Sequence, residues 1–177
     1  MPTRPDAEAP FGTVLARLYH ERFASLFRYL DRRTGDAQLA ADTAQEAFVR
    51  LFQRGAMPEE PAAWLVTVAH NLLRDDRRRT GRRLRLLEAG PVDVPGPAAM
   101  PDPAAEADAE ERRHQVRAAL SRLAARDRDA LLLRHSGYSY REIAVALQLT
   151  ETSVGTILLR AGAGFRRAYE EMHGAPD

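Results

Sequence analysis

Seven arginines, Arg74, Arg77, Arg78, Arg79, Arg82, Arg83 and Arg85, crowd one short stretch in which only Asp75 and Asp76 oppose them. A guanidinium presents a planar fork that bridges phosphate oxygens and stacks on bases, so this density suits a nucleic-acid strand better than a small metabolite. All 26 basic residues are arginine, so the choice of Arg over Lys carries no information and only the density does. A solvated helix end accounts for the run equally well, and the run alone does not separate the two. Hydrolytic metal chemistry at His70, Asp75 and Asp76 has little support. His70 and Asp75 are five residues apart, which is not one helix face, and no second carboxylate pair lies nearby.

A second set of candidates lies near the end of the chain. Ser139 followed by Glu142 reads as a capping box opening a short helix to Leu147; Gln148-Leu149-Thr150 reads as a tight turn, and a second helix opens at Glu151 and runs towards Tyr169. Ile143, Ala144 and Leu147, with Leu149 in the turn, face Val154, Ile157 and Leu158, and the small Ala144 permits close approach. This is the pattern of a helix-turn-helix, although a plain helical hairpin has the same spacing. In a helix-turn-helix the start of the second helix enters the major groove. Glu151, Thr152, Ser153 and Thr156 are then candidate base readers, and Arg160, Arg166 and Arg167 candidate phosphate contacts.

The elements that position these groups are helices. Val14, Leu15, Leu18, Tyr19, Phe23, Leu26, Phe27 and Leu30 recur at three- and four-residue steps from Thr13 to about Arg32, after a frayed tail over residues 1–11. Gly35 ends that helix and Asp36 caps a second, reaching Arg54, with Leu39, Ala40, Thr43, Ala44, Ala47, Phe48, Leu51 and Phe52 as its inner face. Asp42, Gln45, Glu46 and Arg50 fall on its polar side. Pro61 opens the third helix, anchored by Trp64, the sole Trp, and by Leu65, Val68, Ala69, Leu72 and Leu73. Further on, Val116, Leu120 and Leu123 mark one helix beginning near Ala109. A break at 124–126 precedes a short helix capped by Asp127 and carrying Ala130, Leu131 and Leu133.

Between the two sets, the stretch from Glu88 to Glu111 contains seven acidic residues, no Arg and five prolines. It has no periodic apolar face and reads as a flexible acidic Pro/Ala linker. The expected fold is therefore all-α: two small helical domains at 12–86 and 110–172, joined by a linker at 87–109, the second domain containing the helix-turn-helix. With 177 residues the chain can hold two small cores, and the absence of cysteine excludes disulfides and thiolate zinc sites. No secretory or membrane-spanning stretch is evident, which makes the cytoplasm the expected location.

Three motifs in order carry a family resemblance over roughly residues 13–170. Asp42-Thr-Ala-Gln-Glu-Ala-Phe-Val-Arg-Leu51 resembles the Asp-x-x-Gln-Glu-x-Phe helix of the extracytoplasmic-function sigma factors of the bacterial primary-sigma family. Trp64-Leu-Val-Thr-Val-Ala-His-Asn-Leu-Leu-Arg-Asp75 resembles that family's Trp-Leu-x-x-Ile-Ala-x-Asn-x-x-x-Asp helix, and Tyr140-Arg-Glu-Ile-Ala144 to Arg160-Ala161 its C-terminal helix-turn-helix.

The resemblance implies a subunit that directs core RNA polymerase to promoters and assists melting. It implies docking of Asp42, Gln45, Glu46 and Arg50 on the beta-prime clamp helices, with the beta subunit also contacted. It further implies minus-ten recognition by Asn71, Arg74, Asp75, Arg77 and Arg78, and minus-thirty-five recognition by Glu151, Thr152, Ser153, Thr156 and Arg160. No enzymatic activity, cofactor, metal, small-molecule substrate or membrane insertion is expected; an anti-sigma factor is a further expected partner. The sequence departs from the family after Val154, where Gly155, Thr156, Ile157 and Leu158 replace the usual basic residues. The alternative is a stand-alone helix-turn-helix regulator that binds an operator unaided, which leaves the Trp64 helix unexplained.

Overall fold

The computed structural model describes residues 10–86 and 103–173, with side chains described over 10–76 and 109–172. Among the described residues every regular element is a helix: α1 (Phe11–Thr34), α2 (Ala37–Arg54), α3 (Pro61–Leu86), α4 (Pro103–Ser121), α5 (Ala125–His135), α6 (Tyr140–Leu147) and α7 (Glu151–His173).

Local chemistry sets most boundaries. Gly35 takes the left-handed conformation (φ 72°) and donates its N–H to the Asp31 carbonyl, closing α1. Asp36 then accepts from the Leu39 N–H at 2.9 Å, starting α2 as expected. The capping box of α6 is formed in both directions: Ser139 Oγ accepts from the Glu142 N–H, and Glu142 Oε2 from the Ser139 N–H at 2.7 Å.

Three boundaries differ from the sequence reading. α1 begins at Phe11, inside the expected tail, and α4 begins at Pro103, inside the stretch assigned to the linker. Proline at a first helical position costs nothing, and acidic residues favour a helix start. α5 begins at Ala125 after Ala124, so Asp127 is not its cap. Asp127 instead sits in the first turn, where a bidentate arginine holds it. Residues 87–102 lie outside the described residues.

The helices form one continuous core. Leu26, Tyr29, Leu30, Ala44, Leu51, Leu65 and Val66 from α1–α3 and Leu133, Tyr138, Ile143 and Val154 from the second half are nearly or wholly buried and belong to a single apolar cluster. α1 packs on α5, and α3 on α6. The second helical set therefore covers apolar surface that α1–α3 leave open. Polar contacts cross the same boundary. Arg22 pairs with Glu142 at 2.7 Å, Arg33 with Asp129 at 2.8 Å, and Arg141 with Glu60. Arg32 donates to the His135 carbonyl.

At Gly164 a Cβ would meet Leu123 Cδ2 at 2.9 Å, so a larger residue there would have to displace the Leu123 side chain.

Candidate functional site

α2 presents a polar stripe. Its buried set (Ala40, Thr43, Ala44, Ala47, Phe48, Leu51) faces α1 and α3, which leaves Asp42, Gln45, Glu46 and Arg50 exposed. Their hydrogen bonds are local: Gln38 Nε2 donates to Asp42 Oδ1 at 2.9 Å, and Arg50 Nε to Glu46 Oε1 at 3.1 Å. Exposed pairs of this kind contribute only about 0.3–0.5 kcal/mol and exchange readily for a partner's groups. Phe52 is 64% exposed and not part of the inner face, while Val49 is 40% exposed. Leu51 takes the buried position at the end of the helix, and Phe52, one residue on, is rotated out of it. Val49 and Phe52 extend the polar stripe at the Glu46-Val49-Phe52 register. A polar stripe with an apolar end suits a protein partner. The signal for Val49 was present, since it falls at helical spacing from Gln45 and Glu46, whereas Phe52 also lies one turn from the buried Phe48, which put it on the inner face.

α3 is anchored by Leu65, Val66, Ala69 and Leu73, all buried, and by the half-buried Trp64, over whose ring the Arg54 guanidinium sits at 5.7 Å. Its opposite face carries Asn71, Arg74 and Asp75, all exposed, with Arg74 donating to Asn71 Oδ1 at 3.2 Å. Arg77 and Arg78 belong to the same helix, but their side chains lie outside the described residues. The arrangement offers an amide and a guanidinium side by side, which can hydrogen-bond a base edge and a phosphate together.

His70 is committed to structure. Its Nε2 lies 2.5 Å from the buried Tyr29 hydroxyl, which also receives Arg33 Nη1 at 3.4 Å. Arg33 donates to the Tyr29 hydroxyl, and the hydroxyl and the His70 imidazole share one hydrogen bond whose direction is set by the imidazole tautomer. Burial, and then the Arg33 charge, lower the His70 pKa from 6.5 to about 4; burial, and then the Asp129 carboxylate, push the Tyr29 hydroxyl well above its ordinary value. Among the described residues no group of three His or carboxylate side chains is placed to hold a metal.

A pH dependence follows with a definite sign. The unfolded state takes up the His70 proton first, so this residue's contribution is complete above pH 6.5 and is lost as pH falls towards about 4. The loss amounts to about 2–3 kcal/mol. Thermal unfolding of His70→Gln should therefore vary less between pH 7.5 and 4.5 than that of the unaltered protein. An identical pH dependence would refute the assignment.

In α7, Val154, Ile157 and Ala161 are buried, while Glu151, Thr152 and Thr156 are exposed. Ser153 Oγ donates to the Thr150 carbonyl at 2.8 Å, so its hydroxyl caps the turn. Arg160 makes a bidentate pair with Asp127 at 2.8 and 2.5 Å, although its side chain is largely exposed. That pair holds the Asp127 carboxyl below its ordinary pKa and raises Arg160. Leu159, 78% exposed, and Tyr140, whose ring lies 3.7 Å from where a Gly155 Cβ would stand, border the same surface. Sequence reasoning placed neither there, because both look like ordinary helix interior residues until the helices are paired.

Comparison with known proteins decides between the sigma-factor reading and the stand-alone regulator. The profile described as Sigma-70 region 2 matches residues 18–83, and that described as Sigma-70, region 4 matches residues 113–161. The extracytoplasmic-function RNA polymerase sigma factor SigL of Mycobacterium tuberculosis is 34% identical over 172 residues, covering 94% of each chain. The chain belongs to the extracytoplasmic-function sigma factors.

Sigma factors act in transcription initiation by RNA polymerase, and that is the function of this protein. A second relative, the sigma factor BldN of Streptomyces coelicolor, is 30% identical over 92 residues, covering 50% of this chain and 35% of its own. The solved structure of the sigma factor RpoE in complex with the anti-sigma factor NepR, from Bartonella quintana, shares the fold. Its TM-score is 0.62 at 19% identity, over 89% of this chain and 98% of that one. In this sigma factor, region 2 comprises most of α1–α3 and therefore both the α2 stripe and the Asn71 face; region 4 runs from α4 into α7. Among the described residues no single helix is long and apolar enough to cross a membrane.

Proposed function

We propose that this sigma factor divides its work among three surfaces. The α2 stripe of Asp42, Gln45, Glu46 and Arg50, extended by Val49 and Phe52, docks on the beta-prime clamp helices of core polymerase. The α3 face of Asn71, Arg74 and Asp75, continued by Arg77 and Arg78, captures the unpaired minus-ten strand, with the amide reading a base and the guanidinium groups following phosphates. The α7 face of Glu151, Thr152, Ser153 and Thr156 meets the minus-thirty-five duplex, and Arg160 contributes there only if it leaves Asp127. The protein works in the cytoplasm without enzymatic activity of its own, and an anti-sigma factor is a natural partner given the complex formed by the RpoE neighbour.

The observation that carries this reading is the simultaneous exposure of the α2 stripe and of Asn71 and Arg74 on helices whose other faces are buried. The test is whether the purified protein co-elutes with bacterial core RNA polymerase and makes it initiate on promoter DNA. Tight unaided operator binding without core association would favour the stand-alone regulator. Asn71→Ala is expected to weaken open-complex formation by about 1–3 kcal/mol, the usual worth of one base contact, while core affinity stays unchanged. Equal loss of both would mark Asn71 as structural.

A further inference from the structure

We propose that the cleft where α1, α4, α5 and α7 meet is a binding site for a small organic anion, a phosphate or carboxylate head carried on an apolar body. The cleft measures about 1070 Å³, the size of a full ligand pocket. It shares no residue with the α2 stripe, with the Asn71 face or with the Glu151–Thr156 face of α7.

Its charge is one-sided. Arg32 from α1, Arg112, Arg113 and Arg117 from α4 and Arg166 from α7 line it. Against them stand two carboxylates, Asp31 and Glu110. Glu110 is already taken up, pairing with Arg113 at 2.8 Å and with Arg117 at 3.0 Å. Arg32 donates to the His135 carbonyl, a neutral acceptor that leaves its charge unmatched. Arg112 and Arg166 are exposed and have no side-chain partner among the described residues. Arg166, a candidate DNA phosphate contact by its sequence position, thus lines this cleft in the folded chain. Guanidinium forks on three different helices are available to an anionic head, and each can take two oxygens.

The floor is apolar. Leu120 and Leu132 are buried, while Leu131 and Phe165 are half-buried, packed on the core and lining the cleft. Phe165 is further fixed by stacking on Tyr169, ring centroids 5.9 Å apart. Such a floor takes an alkyl or aryl body. It offers no partner to the polar edges of a nucleobase, whose desolvation would go uncompensated. An inorganic ion would use the arginines and leave the floor in water.

Gly162 leaves this space open at a cost. It lies inside α7, where glycine lowers helix stability relative to alanine, and no packing demands it: a Cβ there would meet nothing within 4 Å. Its missing side chain belongs to the cleft wall. Gly35, at the end of α1, admits the Arg117 side chain, whose Cδ lies 3.2 Å from where a Cβ would stand.

The test is isothermal titration of the purified full chain with octyl phosphate and with octanoate, below their micelle concentrations, and with octanol, inorganic phosphate and ATP as controls. Saturable binding of octyl phosphate or octanoate is expected, at least about tenfold tighter than any control because head and body both contribute; the tighter of the two identifies the head. Arg112→Gln with Arg166→Gln should weaken it at least about tenfold through the loss of charge-assisted hydrogen bonds. Gly162→Leu, which extends a side chain from the cleft wall on a helix that it stabilises, should abolish binding without lowering the thermal unfolding midpoint. Equal binding of octanol would reveal an apolar groove without head recognition, equal binding of inorganic phosphate an anion site without a body, and equal binding of ATP a nucleotide site; each overturns the proposal. So does the absence of binding, or binding that survives in folded Gly162→Leu. If Gly162→Leu fails to fold, the double arginine variant decides, and unchanged affinity there overturns the site.

Discussion

Glu46→Arg combined with Gln45→Ala is expected to raise the Kd for core polymerase at least about 30-fold, the lower end of the 2–5 kcal/mol that mispaired interfacial charges cost. Both side chains are exposed on α2, and Glu46 pairs with the exposed Arg50 one turn away, so the folded protein gives up little. Surface changes of this kind alter stability by no more than about 0.5 kcal/mol. The comparison is therefore between core binding, measured by co-elution or fluorescence anisotropy, and the thermal unfolding midpoint. A variant that binds core normally would remove α2 as the docking face. One that binds poorly because it melts early would show that the stripe supports the fold. Phe52→Ala on the same stripe should act in the same direction, because an aromatic exposed to this degree contributes area to a partner and almost none to the core.

The largest expected effect on stability is at Tyr29. Its ring is wholly buried in α1, and its hydroxyl joins His70 of α3 to Arg33, which in turn meets Asp129 of α5. Tyr29→Ala leaves a cavity and takes from the His70 ring its hydroxyl partner, at a cost of about 3–5 kcal/mol. For a chain of this length that lowers Tm by roughly 6–20 °C. Tyr29→Phe keeps the ring and removes only the hydroxyl, so it should cost about 1–3 kcal/mol. Equal losses in the two variants would locate the stabilisation in the hydrogen-bond chain and not in packing. The sites should couple: in Tyr29→Phe the His70 ring loses its hydrogen-bond partner, and His70→Gln should then add little further destabilisation.

Much of the exposed surface proposed for function was legible because exposure along a helix is local. The α2 stripe follows from 3.6-residue periodicity: once Ala40, Ala44, Ala47 and Leu51 are inside, Asp42, Gln45, Glu46 and Arg50 are outside. Asn71 and Arg74 stand opposite Ala69 and Leu73 by the same rule. Caps at Asp36 and Ser139 and the stop at Gly35 were equally readable, since a capping carboxylate, a capping box and a left-handed glycine act on backbone groups within four residues. Errors arose where a residue's fate depended on something distant. Asp127 has the chemistry of a helix cap, but the bidentate Arg160 claims it from α7. Phe52 has the chemistry of a core residue, but among the described residues it stands exposed at the end of α2. Pro103 and the acidic residues after it look like linker by composition, yet they open α4.

The sequence by itself determined the helices, their exposed faces and the family, because periodicity, capping and motif spacing are properties of neighbours in the chain. Only the tertiary structure decided that His70 is the hydrogen-bond partner of Tyr29, that Arg160 is held by Asp127, and that the two halves share one core. Each of these depends on partners at least thirty residues away, joined where the apolar faces of the two helical sets are buried against each other. No local pattern carries that pairing, because burial and charge partnership are set by where distant helices meet.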